Sequence, residues 1–197
     1  MQVRELTGEP RESAGKKGAT AVRNEGKIPC VLYGTSEPVH FKLGELDVEK
    51  SINTPVVFLY QLTIGGKMYK AVIKDAQFHP TSDKPLHIDF LFVDDSKKIK
   101  VALPIKYVGT PEGVLGGGKL QIKARKLNVY GLLADLPDTL DVDITSVGLG
   151  QSVKIEKISF PNLEILDSKN AIACAVKLTR SAMKVATEDA KGAKKKK

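Results

Sequence analysis

The sequence contains few of the residues that build metal centres, disulfide frameworks or catalytic clusters. Its 197 residues include only two cysteines and three histidines. Cys30 and Cys174 lie in separate halves without metal-type spacing and beside apolar residues, so we expect two buried free thiols. His40, His79 and His87 also lack the spacing of metal ligands. We therefore expect no metal site and no cofactor.

Long apolar stretches are also missing. No run approaches the ~20 residues that a membrane helix needs, and the N-terminus MQVRELTGEP lacks the apolar segment of a signal peptide. The composition, 42% hydrophobic and 27% charged, is typical of a soluble globular protein. We expect a cytoplasmic protein with no membrane partner and no small-molecule substrate.

The formal net charge of +8 is distributed unevenly along the chain. Residues 1–95 carry 12 Lys/Arg against 13 Asp/Glu, whereas the excess of positive charge lies in residues 96–180 and 181–197. A nucleic-acid site in the first half must therefore depend on local clustering of cations, which residues 11–27 do show.

The hydrophobic pattern predicts a mainly β protein with short helices. In the first half we expect two helices, one from Lys16 and one at 46–52, and six strands that form a small closed or nearly closed sheet. The predicted strands are Gln2–Leu6, Ile28–Tyr33, Val39–Leu43, Val56–Ile64, Lys67–Gln77 and Leu86–Val93, with a tight hairpin turn at Gly65-Gly66.

A polar break at Asp94–Lys98 predicts a domain boundary, and a second β-rich domain follows. We expect a first domain at 1–95, a second at 96–180 and a disordered basic tail at 181–197. The predicted strands are Ile99–Tyr107, one long strand at Leu120–Tyr130, Leu140–Ile144, Leu163–Leu166 and Ala171–Leu178, with a glycine-rich loop at Val108–Lys119 and a helical turn at Val153–Ile158.

The stretch Lys16–Gly34, KKGATAVRNEGKIPCVLYG, is the most informative part of the chain. Lys16, Thr20, Arg23 and Lys27 are spaced so that they share one face of a helix. Gly26 is a plausible helix stop, and the strand after it ends in Tyr33. A cationic helix face beside a tyrosine is typical of a phosphate-binding surface, although each part taken singly also fits an ordinary solvated face.

His87 and Asp89 have the i, i+2 spacing that places both side chains on one face of a strand. Such a pair can hydrogen-bond ribose hydroxyls or base edges, or it can simply be a solvated strand face. Ile88, Phe90 and Phe92 fit the opposite, buried face.

The segment Gly113–Lys119 matches the phosphate loop G-x-x-x-x-G-K of nucleotide hydrolases in outline. The motif requires Ser or Thr next and a helix after it, but Leu120 and a strand-like pattern follow. We therefore expect a flexible loop, whose amides could at most meet a phosphate of a large partner, and we expect that the protein is not an enzyme.

Taken together, these segments resemble a bacterial large-subunit ribosomal protein family that binds 5S rRNA and includes the general stress protein CTC. The resemblance covers roughly residues 1–180. Its matching strings are K17-x-x-T-x-x-R-x-x-G-K-I-P-x-V-x-Y-G34, P85-x-H-I-D-F-x-x-V93, V108-G-T-P-x-G-V114 and G117-G-x-L120.

The resemblance implies an N-terminal β-barrel that binds RNA and a C-terminal β domain packed beside it. It implies an interaction with 5S rRNA at the irregular internal loop E and association with the large ribosomal subunit. Together with the local cluster of cations, it gives these candidate RNA-binding residues: Arg11, Lys16, Lys17, Thr20, Arg23, Lys27, Tyr33, His87 and Asp89. Many relatives have a second basic residue after the motif arginine, where this chain has Asn24. The alternative function is a non-ribosomal, stress-related β-barrel interaction module.

Overall fold

A computed structural model describes residues 1–11, 15–35 and 37–179. Its first half contains two α-helices, α1 (Lys16–Asn24) and α2 (Glu45–Ile52), and six strands. The strands are β1 (Gln2–Pro10), β2 (Lys27–Tyr33), β3 (Val39–Gly44), β4 (Phe58–Ile64), β5 (Lys67–Phe78) and β6 (Pro85–Phe92). All six predicted strands and both predicted helices are confirmed, with shifts at their ends.

The six strands close into a barrel in the order β1-β3-β2-β6-β5-β4. Two of the six pairings are parallel, β1 with β4 and β2 with β6. Alternate side chains of each strand point into the barrel, and three aromatic rings fill its centre. Phe90 lies between Phe41 and Tyr60, with ring centroids 5.6 and 5.7 Å apart. The predicted closed sheet is confirmed.

The turn between β4 and β5 follows the prediction from Gly65-Gly66. Both glycines have positive φ, 55° and 81°, which is the conformation that a two-residue hairpin turn matched to the twist of its strands requires. Pro29 precedes Cys30, the first residue of β2 paired with β6. Its missing N–H therefore falls at the start of that pairing.

The second half is also mainly β. Its elements are β7 (Ile99–Val108), α3 (Glu112–Leu115), β8 (Lys119–Ile122), β9 (Lys126–Gly131), β10 (Leu140–Asp143), β11 (Ser152–Lys154), β12 (Glu164–Ile165) and β13 (Ile172–Lys177). They form a four-stranded sheet, β10-β7-β9-β12, and a three-stranded sheet, β11-β13-β8. The predicted fold class, mainly β with short helices and two β-rich regions, is confirmed.

Three local predictions for this half were wrong or incomplete. Leu120–Tyr130 is not one strand, because the chain passes from one sheet to the other between β8 and β9. The N–H groups of Lys123 and Ala124 both donate to the carbonyl of Ala173, which interrupts the strand. The predicted helical turn in Val153–Ile158 is present as a 3-10 turn at Ile155–Lys157, but the segment begins in β11, and the glycine-rich loop contains α3.

By its internal contacts the chain divides into two units. One contains Met1–Val101 and Tyr130–Asp138, and the other contains Ala102–Val129 and the chain from Thr139 onward. The division at residues 95 and 96 stays a prediction. The predicted tail, residues 181–197, lies outside the described residues.

Candidate nucleic-acid interface

Helix α1 carries two exposed lysines where the helix dipole is positive. Lys16 and Lys17 occupy its first turn, which has no acidic residue and no side-chain cap. Neither lysine forms an ion pair within the part of the chain that the structure describes. Cations in the first turn are unfavourable for the helix, so this end of α1 attracts anions.

Arg23 connects α1 to strand β6. Its Nε and Nη2 both donate to the carbonyl oxygen of Leu86, at 3.1 and 3.0 Å. Leu86 directly precedes His87, so the arginine stands beside the predicted His87–Asp89 pair. Because a guanidinium has five N–H groups, three remain for an outside acceptor.

Thr20 lies on the exposed side of α1. Its hydroxyl donates to the carbonyl of Lys16 at 3.0 Å. The hydroxyl proton is therefore engaged in the helix, while the Oγ1 lone pairs can accept a hydrogen bond from a ligand.

The prediction that Lys27 shares the helix face was wrong. Gly26 has φ 72° and ends the helix, so Lys27 is the first residue of β2. Its ammonium lies 2.6 and 2.7 Å from the two carboxylate oxygens of Glu9. The pKa of Glu9 is lowered, mainly by its hydrogen bond to Lys27. The predicted role of Lys27 in RNA binding stays a prediction, with its charge balanced by Glu9.

On β6 the predicted polar pair has formed. Nδ1 of His87 lies 2.8 Å from Oδ1 of Asp89, and the side chains are 23% and 31% exposed. Ile88 and Phe90 point into the barrel and are fully buried, as the alternation predicted. An N–H at Nδ1 that donates to the carboxylate leaves Nε2 as an acceptor for a ligand hydroxyl.

Tyr33 lies at the end of β2, on the same outer face. Burial raises the pKa of its phenol, and the negative charges of Asp89 and Asp75 raise it further. The phenol therefore stays protonated near neutral pH and can act as a hydrogen-bond donor beside the carboxylates.

Asp75 is a member of this surface that the sequence analysis missed. The register between β5 and β6 shifts between Ile73 and Asp75, so that Asp75 stands directly opposite Asp89. Like charges directly opposite each other destabilise a sheet, and two facing carboxylates suit a surface that meets hydrogen-bond donors. The i, i+2 spacing of Asp75 and Gln77 was the available signal.

His40 was missed as well, and it stands beside Arg11. The N–H of Arg11 donates to the carbonyl of His40 at 3.1 Å. On its other side His40 is paired with Val31 of β2, and Val31 is paired with Asp89 of β6. One row of outward-facing positions thus runs from Arg11 through His40 and Val31 to Asp89.

The structure brings the candidate residues onto one outer side of the barrel. Lys16, Lys17, Thr20 and Arg23 come from α1, which packs on β2 and contacts β6 through Arg23. Tyr33 lies on β2, His87 and Asp89 lie on β6, and Arg11 directly follows β1. The surface is polarised, because cations lie at the α1 and β1 side and the carboxylates of Asp89 and Asp75 at the β6 and β5 side. Lys27 lies at its margin, paired with Glu9.

The glycine-rich loop of the second unit is not a phosphate loop. Every amide N–H from Gly113 to Gly118 donates to a backbone carbonyl of the same unit, at 2.8 to 3.3 Å. No amide of that segment is therefore left for a phosphate. A Cβ at Gly113 would lie 2.6 Å from backbone atoms of Gly148 and Leu149, so the glycine permits close backbone packing.

Two further expectations concern thiols and metals. Cys30 and Cys174 are free and buried, as predicted, and burial raises the pKa of each thiol. No cluster of three or more potential metal ligands occurs among the described residues. None of the helices within those residues is long and apolar enough to cross a membrane.

Comparison with known proteins finds two family models along the chain. Residues 6–90 match the ribosomal L25p family, and residues 98–180 match the C-terminal domain of ribosomal protein TL5. The large ribosomal subunit protein bL25 of Porphyromonas gingivalis is 44% identical over 184 residues, covering 92% of this chain and 96% of its own.

Other relatives carry the same name. The bL25 protein of Bacteroides fragilis is 41% identical over 172 residues, covering 87% of this chain and 88% of its own. That of Parabacteroides distasonis is 39% identical over 187 residues, covering 92% and 96%. Similarity of this extent over both halves shows that the chain belongs to the ribosomal L25p family, in a form that also carries a TL5-type C-terminal domain.

Proposed function

We propose that this chain is a structural component of the large ribosomal subunit whose first domain binds 5S rRNA at the irregular internal loop E. The observation that carries the proposal is the polarised outer surface of the barrel, with free cations on one side and the His87–Asp89 pair on the other. The names of its relatives support assembly into the large subunit. Their ribosomal identity favours this function over a non-ribosomal interaction module and over catalysis.

The cationic side of the surface suits the sugar-phosphate backbone. Lys16, Lys17 and Arg23 project from one short helix, and Arg11 directly follows β1. Charge-assisted hydrogen bonds from such groups to phosphate oxygens fix the register of a protein on a nucleic acid but do not read its sequence. The positive end of the α1 dipole adds to the attraction.

The acidic side suits donors instead of phosphates. Asp89 would repel a phosphate, but its carboxylate can accept from a base amino group or a ribose hydroxyl. Tyr33, protonated beside it, supplies a donor, and Thr20 and Nε2 of His87 supply acceptors. Regular A-form RNA exposes its 2′-hydroxyls in a wide, shallow minor groove and hides its major-groove edges. An irregular loop adds non-standard base edges, which these side chains would read.

The second domain has a separate part in this proposal. Residues 96–180 would contact other components of the large subunit, so the protein would act in the cytoplasm as part of the ribosome. The amide N–H groups of the glycine-rich loop from Gly113 to Gly118 all donate within their own unit, which supports a structural function for that segment.

The decisive experiment compares Asp89→Asn with Asp75→Asn in the full chain. Each change removes one negative charge from the same surface, and the two residues stand opposite each other. We expect Asp89→Asn to weaken binding of a 5S rRNA transcript about tenfold or more, because a buried donor loses its charged acceptor. Asp75→Asn should change the affinity much less. Filter binding or fluorescence anisotropy at fixed salt measures both.

A 5S rRNA whose loop E is replaced by Watson–Crick pairs serves as the RNA control and should bind weakly. Equal gains in affinity for both Asp variants would show that Asp89 only repels phosphate. Absence of specific binding by the wild-type chain would refute the proposed function itself.

A further inference from the structure

Arg11 and His40 form a cross-strand pair with an unusual feature, three shielded nitrogens without partners. Nε and Nη1 of Arg11 and Nδ1 of His40 are inaccessible to solvent, and none has a hydrogen-bond partner in the described part of the chain. The histidine belongs to none of the candidate residues derived from the sequence.

The sheet register places the two side chains next to each other. β1 and β3 are antiparallel, with Glu9 opposite Lys42 and Pro10 opposite Phe41, so the register continues to Arg11 opposite His40. The 3.1 Å bond from the Arg11 N–H to the His40 carbonyl agrees with this. Side chains that stand directly opposite share a face, with Cβ atoms about 4.5–5.5 Å apart.

No acidic group of the same surface satisfies these nitrogens. The carboxylate of Asp89 lies against His87, and that of Glu9 lies against Lys27 and Lys42. The guanidinium cannot lose its proton, and a shielded, unpaired, charged donor is costly. An acceptor from outside the chain would remove this cost once the two side chains turn to expose these nitrogens.

We propose that Arg11 and His40 form a phosphate site, in which the guanidinium and the Nδ1–H of His40 bind oxygens of one phosphate group. This inference rests on the proposed function, because the phosphate is taken to belong to the RNA backbone. A planar guanidinium fork suits two oxygens of one phosphate, and the imidazole N–H adds a third donor. The row from Arg11 through His40 and Val31 to Asp89 then places the phosphate at its cationic end and the ribose or base at Asp89.

The test compares His40→Phe with His40→Asn in the full chain. Phenylalanine keeps an aromatic ring but removes both ring nitrogens, whereas asparagine retains an amide N–H near the position of Nδ1. We expect His40→Phe to weaken 5S rRNA binding roughly tenfold, as for loss of a hydrogen bond to a charged group. His40→Asn should retain most of the affinity.

Two measurements separate a lost contact from a lost fold. The thermal midpoint of His40→Phe should be no lower than that of the wild type, because the variant removes a shielded unpaired nitrogen. In an Arg11→Ala background, His40→Phe should have much less effect than alone, since both groups serve one phosphate. Full additivity would overturn the shared site, and so would wild-type affinity of His40→Phe.

A titration with inorganic phosphate tests the site without RNA. The ring resonances of His40 and the Nε resonance of Arg11 should shift together in NMR spectra of the full chain, and the His40 shift should vanish in Arg11→Ala. If the wild type fails to bind 5S rRNA but these shifts occur, the proposed function fails and the anion site stands. If RNA binds and neither resonance shifts, only the anion site is refuted.

Discussion

Several charged side chains of this protein occupy positions that lower its stability. Lys16 and Lys17 occupy the positive end of the α1 dipole, and Asp75 stands opposite Asp89. Each arrangement disfavours the folded state slightly. Such positions are where stability and ligand binding are expected to oppose each other.

Lys17→Glu tests this opposition. We expect the free energy of unfolding to rise by about 0.5–1 kcal/mol, because a carboxylate replaces a cation in the first turn of α1. The affinity for 5S rRNA should fall roughly tenfold or more, as expected when a phosphate contact is replaced by repulsion. Urea unfolding and anisotropy measure the two effects.

Lys50→Glu, in the last turn of α2, is the matched control. It makes the same change of charge at a position away from the candidate surface. The carbonyl of Lys50 accepts a hydrogen bond from Arg4. Its stability should fall and its affinity should change little. Parallel losses of affinity in both variants would mean that overall charge, not position, determines binding.

For helices, strands and turns, the sequence pattern predicted the features that depend on residues close together in the chain. The helix stop at Gly26, the Gly65-Gly66 hairpin and the shared face of His87 and Asp89 all follow from spacing along one segment. The break between β8 and β9 does not, because it arises where Lys123 and Ala124 meet the distant carbonyl of Ala173.

Spacing along one strand also decides which site residues can be found from the sequence. His87 and Asp89 lie two apart on one strand, so alternation alone pairs them. His40 and Asp75 join the surface only through the strand order and a register shift in β5. Neither feature can be read from the spacing of residues in a single sequence. Lys27 was misplaced because the periodicity was extended past the glycine that ends α1.

The glycine-rich loop predicts how substitutions at its glycines change the stability of the second unit. Gly113→Ala should destabilise the second unit by roughly 1–3 kcal/mol, because its Cβ would meet backbone atoms of Gly148 and Leu149 that cannot move aside easily. Gly116→Ala should cost less, since its nearest neighbour is the flexible side chain of Leu149, at 3.1 Å.

Thermal unfolding of the two variants provides the measurement. RNA affinity at a temperature where both remain folded should be unchanged, because the loop donates its amides internally. A selective loss of RNA binding in a stable Gly113→Ala would restore the phosphate-loop interpretation.

For the whole molecule, net charge is a poor guide to the binding surface. The chain has a net charge of +8, yet the first 95 residues hold one more acidic than basic residue. What matters is which cations lack an internal counter-ion. Lys16 has none within the described residues, whereas Lys27 is held by Glu9.

The salt dependence of RNA binding should reveal this difference. Each phosphate neutralised contributes about −0.7 to −0.9 to the slope of log affinity against log salt. Lys16→Ala should make the slope shallower by about that amount, while Lys27→Ala should leave it nearly unchanged. Affinities at four or more salt concentrations measure the slopes, and equal changes in both variants would contradict the assignment of free and paired cations.

The position of β6 in the barrel has a consequence for synthesis of the chain. β6 is the last of the six strands to be made, yet it inserts between β2 and β5, and it carries both His87 and Asp89. A nascent chain that has emerged only through β5 has an open sheet and lacks His87 and Asp89. At about 5–20 residues per second, several seconds pass between emergence of Arg11 and emergence of its distant partners. Under the proposed function, full recognition of the RNA would therefore await the emergence of β6.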